Sequence, residues 1–222
     1  MRGIVTTLMV AVAFVGLLGR PVIAATKGEE LVEESRFTLE RLRTEKNMVE
    51  FQNFLGRAKG VLIIPELVKG GFIFGAEGGS GVLLVRGADG SWSSPAFYTL
   101  AAGSFGLQIG AQVSEVVFTL MSEGAISAFM SDEFKLGADA SVAIGPLGAG
   151  IEASTTTNLN ADIYAFSRAV GLFGGGALEG AKIFSRTSWD DEYYGAKTTP
   201  REIVLERKFF NTQADALRKA LP

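Results

Sequence analysis

The chain has 222 residues, with 21 Lys and Arg against 24 Asp and Glu, and contains neither histidine nor cysteine. Those two absences exclude disulfides, thiol nucleophiles, zinc sites built on imidazole or thiolate, and any triad that needs histidine. A formal charge of −3 argues against nucleic acid as a partner, since such binders are basic.

Met1 and Arg2 form a short positive start, and Ile4 to Leu18 is apolar or small apart from Thr6 and Thr7. That stretch falls short of the roughly 20 residues needed to span a bilayer. Val22 and Ala24 then fit a small-residue cleavage site. Residues 1–25 therefore read as a secretory signal peptide cut near Ala24 or Ala25, which directs the protein to the periplasm or the exterior. Residues 26–222 read as one domain.

Residues 26–59 carry seven bases and seven acids. Leu31, Val32, Phe37, Leu39 and Leu42 form a loose apolar stripe, and Met48, Phe51 and Leu55 a tighter one. The spacing predicts helices over 28–45 and 46–56, with Gly56 as a C-cap. Residues 60–180 hold 22 of the 28 glycines, with four bases against eleven acids. Short apolar runs follow: Val61–Ile64, Phe72-Ile73-Phe74, Val82–Val85 and Val116–Leu120. These have strand lengths and strand residues, and their continuity suits strands buried on both faces. Alternation over 134–139 and 161–166 adds two more. Asp89-Gly90 predicts a hairpin turn, with Pro95 limiting the strand that follows Trp92. A short helix is expected near Ser122–Met130. Ile203-Val204-Leu205 reads as a last strand. Thr212 with Asp215 resembles a capping box, and Phe210, Ala214, Leu217 and Leu221 share one helix face, which predicts a terminal helix over 212–221. The fold class is thus α+β: a mostly antiparallel, glycine-rich barrel or sandwich over 60–207, flanked by N-terminal helices and a C-terminal amphipathic helix.

Motifs for chemistry are weak. Gly148-Ala149-Gly150-Ile151-Glu152-Ala153 matches a dinucleotide-binding pattern, but Ser154-Thr155-Thr156-Thr157 follows where a helix must start. Asp190-Asp191-Glu192 could hold a divalent metal, though three adjacent acids more often form a solvated turn or a helix start. Neither implies a cofactor, and no enzymatic activity is expected.

An ordered series of motifs resembles the SYLF lipid-binding domain family, also called DUF500 or the fungal actin-regulator family. The series is Ala58 to Pro65, Lys69-Gly70-Gly71-Phe72, Gly79 to Arg86, Trp92 to Phe97 and Gly103 to Gln112. Tyr164, Gly171-Leu172-Phe173 and Tyr193-Tyr194-Gly195 complete it. The resemblance implies contact with phospholipid or a membrane surface. It also implies actin bundling for some members, which export makes an unlikely partner here. The residues themselves add a site: Arg57, Lys59, Lys69 and Arg86 stand at strand boundaries. If those ends converge, they form a basic rim beside Phe72, Phe74 and Trp92. For Trp92 a core position is the other reading. The competing functions are an integral outer-membrane β-barrel and a partner-binding envelope scaffold.

Overall fold

The computed structural model describes residues 25–46, 48–71, 74–105, 110–144, 160–169 and 180–222. Helix α1 (Lys27–Thr44) opens on a reciprocal cap. The Thr26 hydroxyl accepts from the Glu29 N–H at 3.2 Å, and the Glu29 carboxylate accepts from the Thr26 N–H at 2.8 Å. Its buried face is Leu31, Val32, Ser35, Thr38, Leu39 and Leu42, a helical spacing completed by two small polar residues. Phe37, expected in that stripe, is 43% exposed and lies under the Arg36 guanidinium. Helix α2 (Val49–Arg57) buries Phe51 and Leu55 as expected. Gly56 does not cap it: that residue lies inside the helix, and Ala58 in extended conformation ends it.

Among the described residues eight strands follow: β1 (Gly60–Gly71), β2 (Phe74–Val85), β3 (Ala96–Phe105), β4 (Gly110–Leu120), β5 (Glu133–Lys135), β6 (Val142–Ile144), β7 (Ile163–Ala169) and β8 (Lys182–Ser185). They form one curled sheet in the order β5-β8-β3-β2-β1-β4-β7-β6, antiparallel except where β6 meets β7. The barrel-or-sandwich alternative thus resolves as a half-barrel. Among the described residues the sheet order ends in β5 and β6, which do not pair with each other. Among the described residues there are four further helices: α3 (Glu123–Ala128), α4 (Thr187–Tyr194), α5 (Pro200–Val204) and α6 (Asp215–Ala220).

The continuous apolar runs have the predicted cause. Leu62, Ile64, Leu83, Val85, Val116, Phe118 and Leu120 pack on one side of the sheet with residues of α3 and α5. Val61, Ile63, Val82, Leu84 and Val117 pack on the other with α1, α2 and α6. This half of the sheet is therefore covered by helices on both faces, unlike the wall of a membrane-spanning barrel, whose outer face meets lipid. Among the described residues no helix is long and apolar enough to cross a membrane.

One irregularity shapes the rest. β1 carries an extra residue relative to both neighbours: the register runs Ile63↔Val82 then Val68↔Gly78 on one side, and Ile64↔Val116 then Leu67↔Ser114 on the other. Pro65 sits in this bulge, where its missing N–H does no harm. The bulge presses on β2 at two glycines. A Cβ at Gly81 would stand 2.5 Å from the Ile63 carbonyl oxygen, and one at Gly79 would meet the Glu66 carbonyl still more closely.

The C-terminal third departs from expectation. Residues 203–205 do not form a strand. Thr199 caps a helix with Pro200 in its first turn, its hydroxyl accepting from the Glu202 N–H at 3.3 Å. Thr212 is not the cap before α6 either. Asn211 is, accepting from the Gln213 N–H at 3.0 Å and opening a 3-10 turn over 212–214 that runs into α6. Ala214, Leu217 and Leu221 are buried as expected, whereas Phe210 is exposed.

Candidate functional site

The register sets two opposite ends of the sheet. At one end Gly60 pairs with Val85 and Leu120; at the other Gly71 pairs with Gly75 and Gly110. At about 3.3 Å per residue, Lys59 and Lys69 stand about 30 Å apart. The expected convergence of the four bases does not occur: Arg57, Lys59, Arg86 and Trp92 lie at the first end, while Lys69 lies at the second.

At the first end the cations are engaged in the fold. Arg86 donates to the carbonyls of Gly56 at 2.9 Å, Gly90 at 3.2 Å and Pro222 at 3.1 Å, and its guanidinium lies 5.6 Å from the Trp92 ring centroid. The Trp92 N–H donates to the same Pro222 carbonyl at 2.9 Å, and the residue is 4% exposed. Trp92 is therefore a core anchor tying the Asp89-Gly90 hairpin to the C-terminus, withdrawn from any outside surface. Lys59 pairs with Glu123 at 3.0 Å. The Arg57 guanidinium stacks over Phe54 at 5.1 Å.

The second end has a different character. Phe74 opens β2 opposite Phe105; Phe72 lies outside the described residues. On the face that carries α1 farther along, cross-strand partners form two rows, Ala101–Gly78–Val68–Val113 and Gly103–Ala76–Gly70–Ala111. Val68 and Val113 are 43% and 48% exposed, and Ala76, Ala101 and Gly103 are exposed as well. No residue in either row is charged. The opposite face at this level carries Lys69, flanked in register by Glu77 on β2 and Gln112 on β4. Glu77 is 3% exposed, and neither carboxylate oxygen has a hydrogen-bond partner. Burial pushes its carboxyl above the usual range, and the Lys69 charge opposes that shift.

A charged groove of about 560 Å³ lies beside this end, lined by Glu34, Arg41, Pro65, Glu66, Gln112, Val113, Ser114, Glu115 and Arg168. Its charges are largely matched: Glu115 pairs with Arg41 and with Arg168, and Arg168 reaches Glu45 at 3.2 Å.

The acidic triplet is not a metal site. Asp190 is fully buried, and desolvation, with the nearby Asp191 charge, pushes its carboxyl up to about 7 against the opposing hydrogen bond that it accepts from the Phe97 N–H at 2.9 Å. Asp191 pairs with Lys197 at 2.6 Å and accepts from the Thr198 N–H at 2.8 Å. Among the described residues no group of three or more ligating side chains could hold a metal ion. The dinucleotide-like segment at 148–153 lies outside the described residues. The polar row at 69, 77 and 112 and the bare face behind it were not singled out from sequence beyond Lys69. The signal available was the low charge of the Lys69–Gly79 and Leu100–Val113 segments.

Comparison with known proteins agrees with the resemblance. The family model for Ysc84, described as Las17-binding protein actin regulator, matches residues 101–222, more than half of the chain. Protein YSC84 of Saccharomyces cerevisiae is 37% identical over 170 residues, covering 75% of this chain and 36% of that protein. LAS seventeen-binding protein 3 of the same yeast is 35% identical over 156 residues, covering 69% of this chain and 34% of that one. Human SH3 domain-containing YSC84-like protein 1 is 32% identical over 198 residues, covering 89% of this chain and 57% of its own length. The chain thus spans about a third of the yeast relatives and just over half of the human one. On the family match and these identities, the chain belongs to the Ysc84 (SYLF) family of actin-regulator-like proteins.

Proposed function

We propose that this protein is a non-catalytic module that binds phospholipid at a membrane surface through the uncharged end of its sheet. The observation that carries this reading is the exposed double row built on Val68 and Val113. Neither row carries a charge, and the rows lie at the sheet end opposite Arg57, Lys59 and Arg86, bordered by the charge-matched groove that Val113 also lines. Contiguous exposed apolar surface rimmed by polar groups marks interaction sites. The sequence joining the strands there, Phe72-Ile73 and Gly106-Leu107-Gln108-Ile109, is also free of charge, which suits a bilayer better than a polar protein partner. Lys69, on the opposite face of the same sheet end, is the one base within residues 69–79 and 100–113 and the natural contact for a lipid phosphate.

The absence of histidine and cysteine supports binding rather than turnover. We take an extracytoplasmic location as part of the same proposal. The α1 cap begins at Thr26, so cleavage after Ala24 or Ala25 would keep that capping residue. Relatives carry actin regulation in their family description; an exported chain would meet lipid and not actin.

Co-sedimentation with phosphatidylcholine/phosphatidylglycerol vesicles tests the reading. The pair Val68→Asp and Val113→Asp should lower the bound fraction at least tenfold, and Lys69→Glu more modestly. Lys59→Glu, at the far end, should leave it unchanged. Wild-type sedimentation of the double aspartate variant would remove the membrane reading.

A further inference from the structure

The face of the sheet that carries Lys69 holds three buried polar groups without hydrogen-bond partners: both carboxylate oxygens of Glu77, the Gln112 amide nitrogen and the Ser167 hydroxyl. They are not scattered. Lys69 pairs in register with Glu77 on one side and with Gln112 on the other, so all three side chains leave the same face at one level. Ser167 pairs with Val116, which places it on that face too, two positions along β4 from Ser114 and four from Gln112. With strands about 4.8 Å apart, the Glu77 and Gln112 backbones stand about 10 Å apart, with Lys69 between them.

Groups like these are normally satisfied, and leaving one buried and unpaired is costly. A lysine directly opposite a glutamate on a neighbouring strand ordinarily closes an ion pair, yet among the described residues Lys69 and Glu77 make none with each other or with anything else. A bare metal cation does not meet this bonding need. It would meet a single carboxylate, with the Lys69 ammonium beside it. A simple anion does not answer it either, because Glu77 would repel it. The arrangement asks for both signs in one small ligand: donors for Glu77, and an acceptor for Lys69 and Gln112.

We propose that this row binds an amine-phosphate zwitterion of ethanolamine type, its ammonium on Glu77 and its phosphate on Lys69 and the Gln112 amide. A primary ammonium brings three N–H donors to the two orphaned oxygens, whereas a quaternary one brings none. Burial and the raised carboxyl of Glu77 fit an acceptor that becomes fully charged when a cation docks. The inference rests on the membrane-contact reading for the source of the ligand, as the head of a phospholipid; free phosphoethanolamine carries the same chemistry.

Titration calorimetry of the full chain with O-phosphoethanolamine, phosphocholine and inorganic phosphate tests it, together with sedimentation on phosphatidylcholine vesicles with and without phosphatidylethanolamine. Phosphoethanolamine should bind at least tenfold more tightly than phosphocholine. Inorganic phosphate should bind more weakly than either; Glu77→Gln should erase the preference for phosphoethanolamine over phosphocholine, and Lys69→Met should weaken binding of both phosphoamines. Lys69→Met carries the test if Glu77→Gln does not fold. An ethanolamine preference on vesicles, lost in Glu77→Gln, assigns the lipid head as the source. Binding of free phosphoethanolamine without vesicle binding upholds the site while removing the membrane reading. Vesicle binding that ignores ethanolamine, with no response to the free compound, overturns the site and leaves the membrane reading standing.

Discussion

The fully buried Asp190 side chain on α4 accepts a hydrogen bond from the backbone N–H of Phe97, at the start of β3, over 2.9 Å. It fixes the helix to the sheet at a point where Phe97 also packs edge-on against Tyr193, 5.2 Å between centroids. The bond uses one carboxylate oxygen and leaves the other without a partner.

That relationship sets a pH dependence. With the Asp190 carboxyl at about 7 in the folded chain and near 3.8 when unfolded, the folded state holds a proton that the unfolded state has released between those values. Stability from this group therefore falls as pH rises from about 4 through 7, by an amount on the order of a few kcal/mol. Asp190→Asn keeps an acceptor for the Phe97 N–H and removes the charge. It should raise the melting temperature at pH 8 and flatten this part of the pH profile. Asp190→Ala should instead lose about 1–3 kcal/mol in urea unfolding at pH 5, where the wild-type acid is neutral.

Gly81 answers to the β1 bulge. Gly81→Ala should cost about 2–4 kcal/mol in denaturant unfolding, because the new Cβ meets the Ile63 backbone and not a yielding side-chain tip. Gly103, where a Cβ would meet nothing within 4 Å, is the control: Gly103→Ala should change stability by under about 1 kcal/mol. Equal effects at the two sites would contradict the bulge account.

Asp162 joins three segments. Its carboxylate accepts from the hydroxyl of Ser122, the α3 cap, at 2.7 Å and from the Ser141 hydroxyl at 2.6 Å. These bonds hold its carboxyl below the ordinary value. The stability it contributes is present above the unfolded value near 3.8 and is lost as pH falls through the lower folded one. Asp162→Ala should cost about 1–3 kcal/mol at pH 7, with a smaller difference from wild type at pH 2, measured by thermal unfolding.

Arg86 at the first sheet end is a structural clasp. Arg86→Ala frees the carbonyls of Gly56 and Pro222 and should lower stability by about 1–2 kcal/mol. Its vesicle binding, measured below the melting temperature, should match wild type. Selective loss of lipid contact at unchanged stability would return this residue to the binding surface.

Most of the architecture was legible because burial leaves a direct mark on residue choice. Val61–Ile64, Val82–Val85 and Val116–Leu120 read as strands covered on both faces, and both faces are covered. The strand expected to begin at Trp92 starts only at Ala96, directly after Pro95, and Trp92 is left in an isolated bridge with Arg86. The departures have separate physical causes, and at residues 203–205 local β-branched composition outweighed cap chemistry. Ile203-Val204-Leu205 looks like a strand in isolation, yet Thr199-Pro200 with Glu202 writes a helix start just before it. Phe37 looked like core because it is aromatic, while the actual α1 stripe runs through Ser35 and Thr38. The site was the least legible part. Which bases share an end depends on strand register, and no local pattern reveals that Lys69 stands beside Glu77 and Gln112 rather than beside Lys59.

β5, the outermost strand beside β8, is only three residues long, and its Glu133 pairs with Lys182 of that neighbour. A passing chain seeking a template would find too few free rungs on this rail, and a charged one, to nucleate a ladder. That side of the half-barrel therefore offers little to runaway stacking of one copy upon the next.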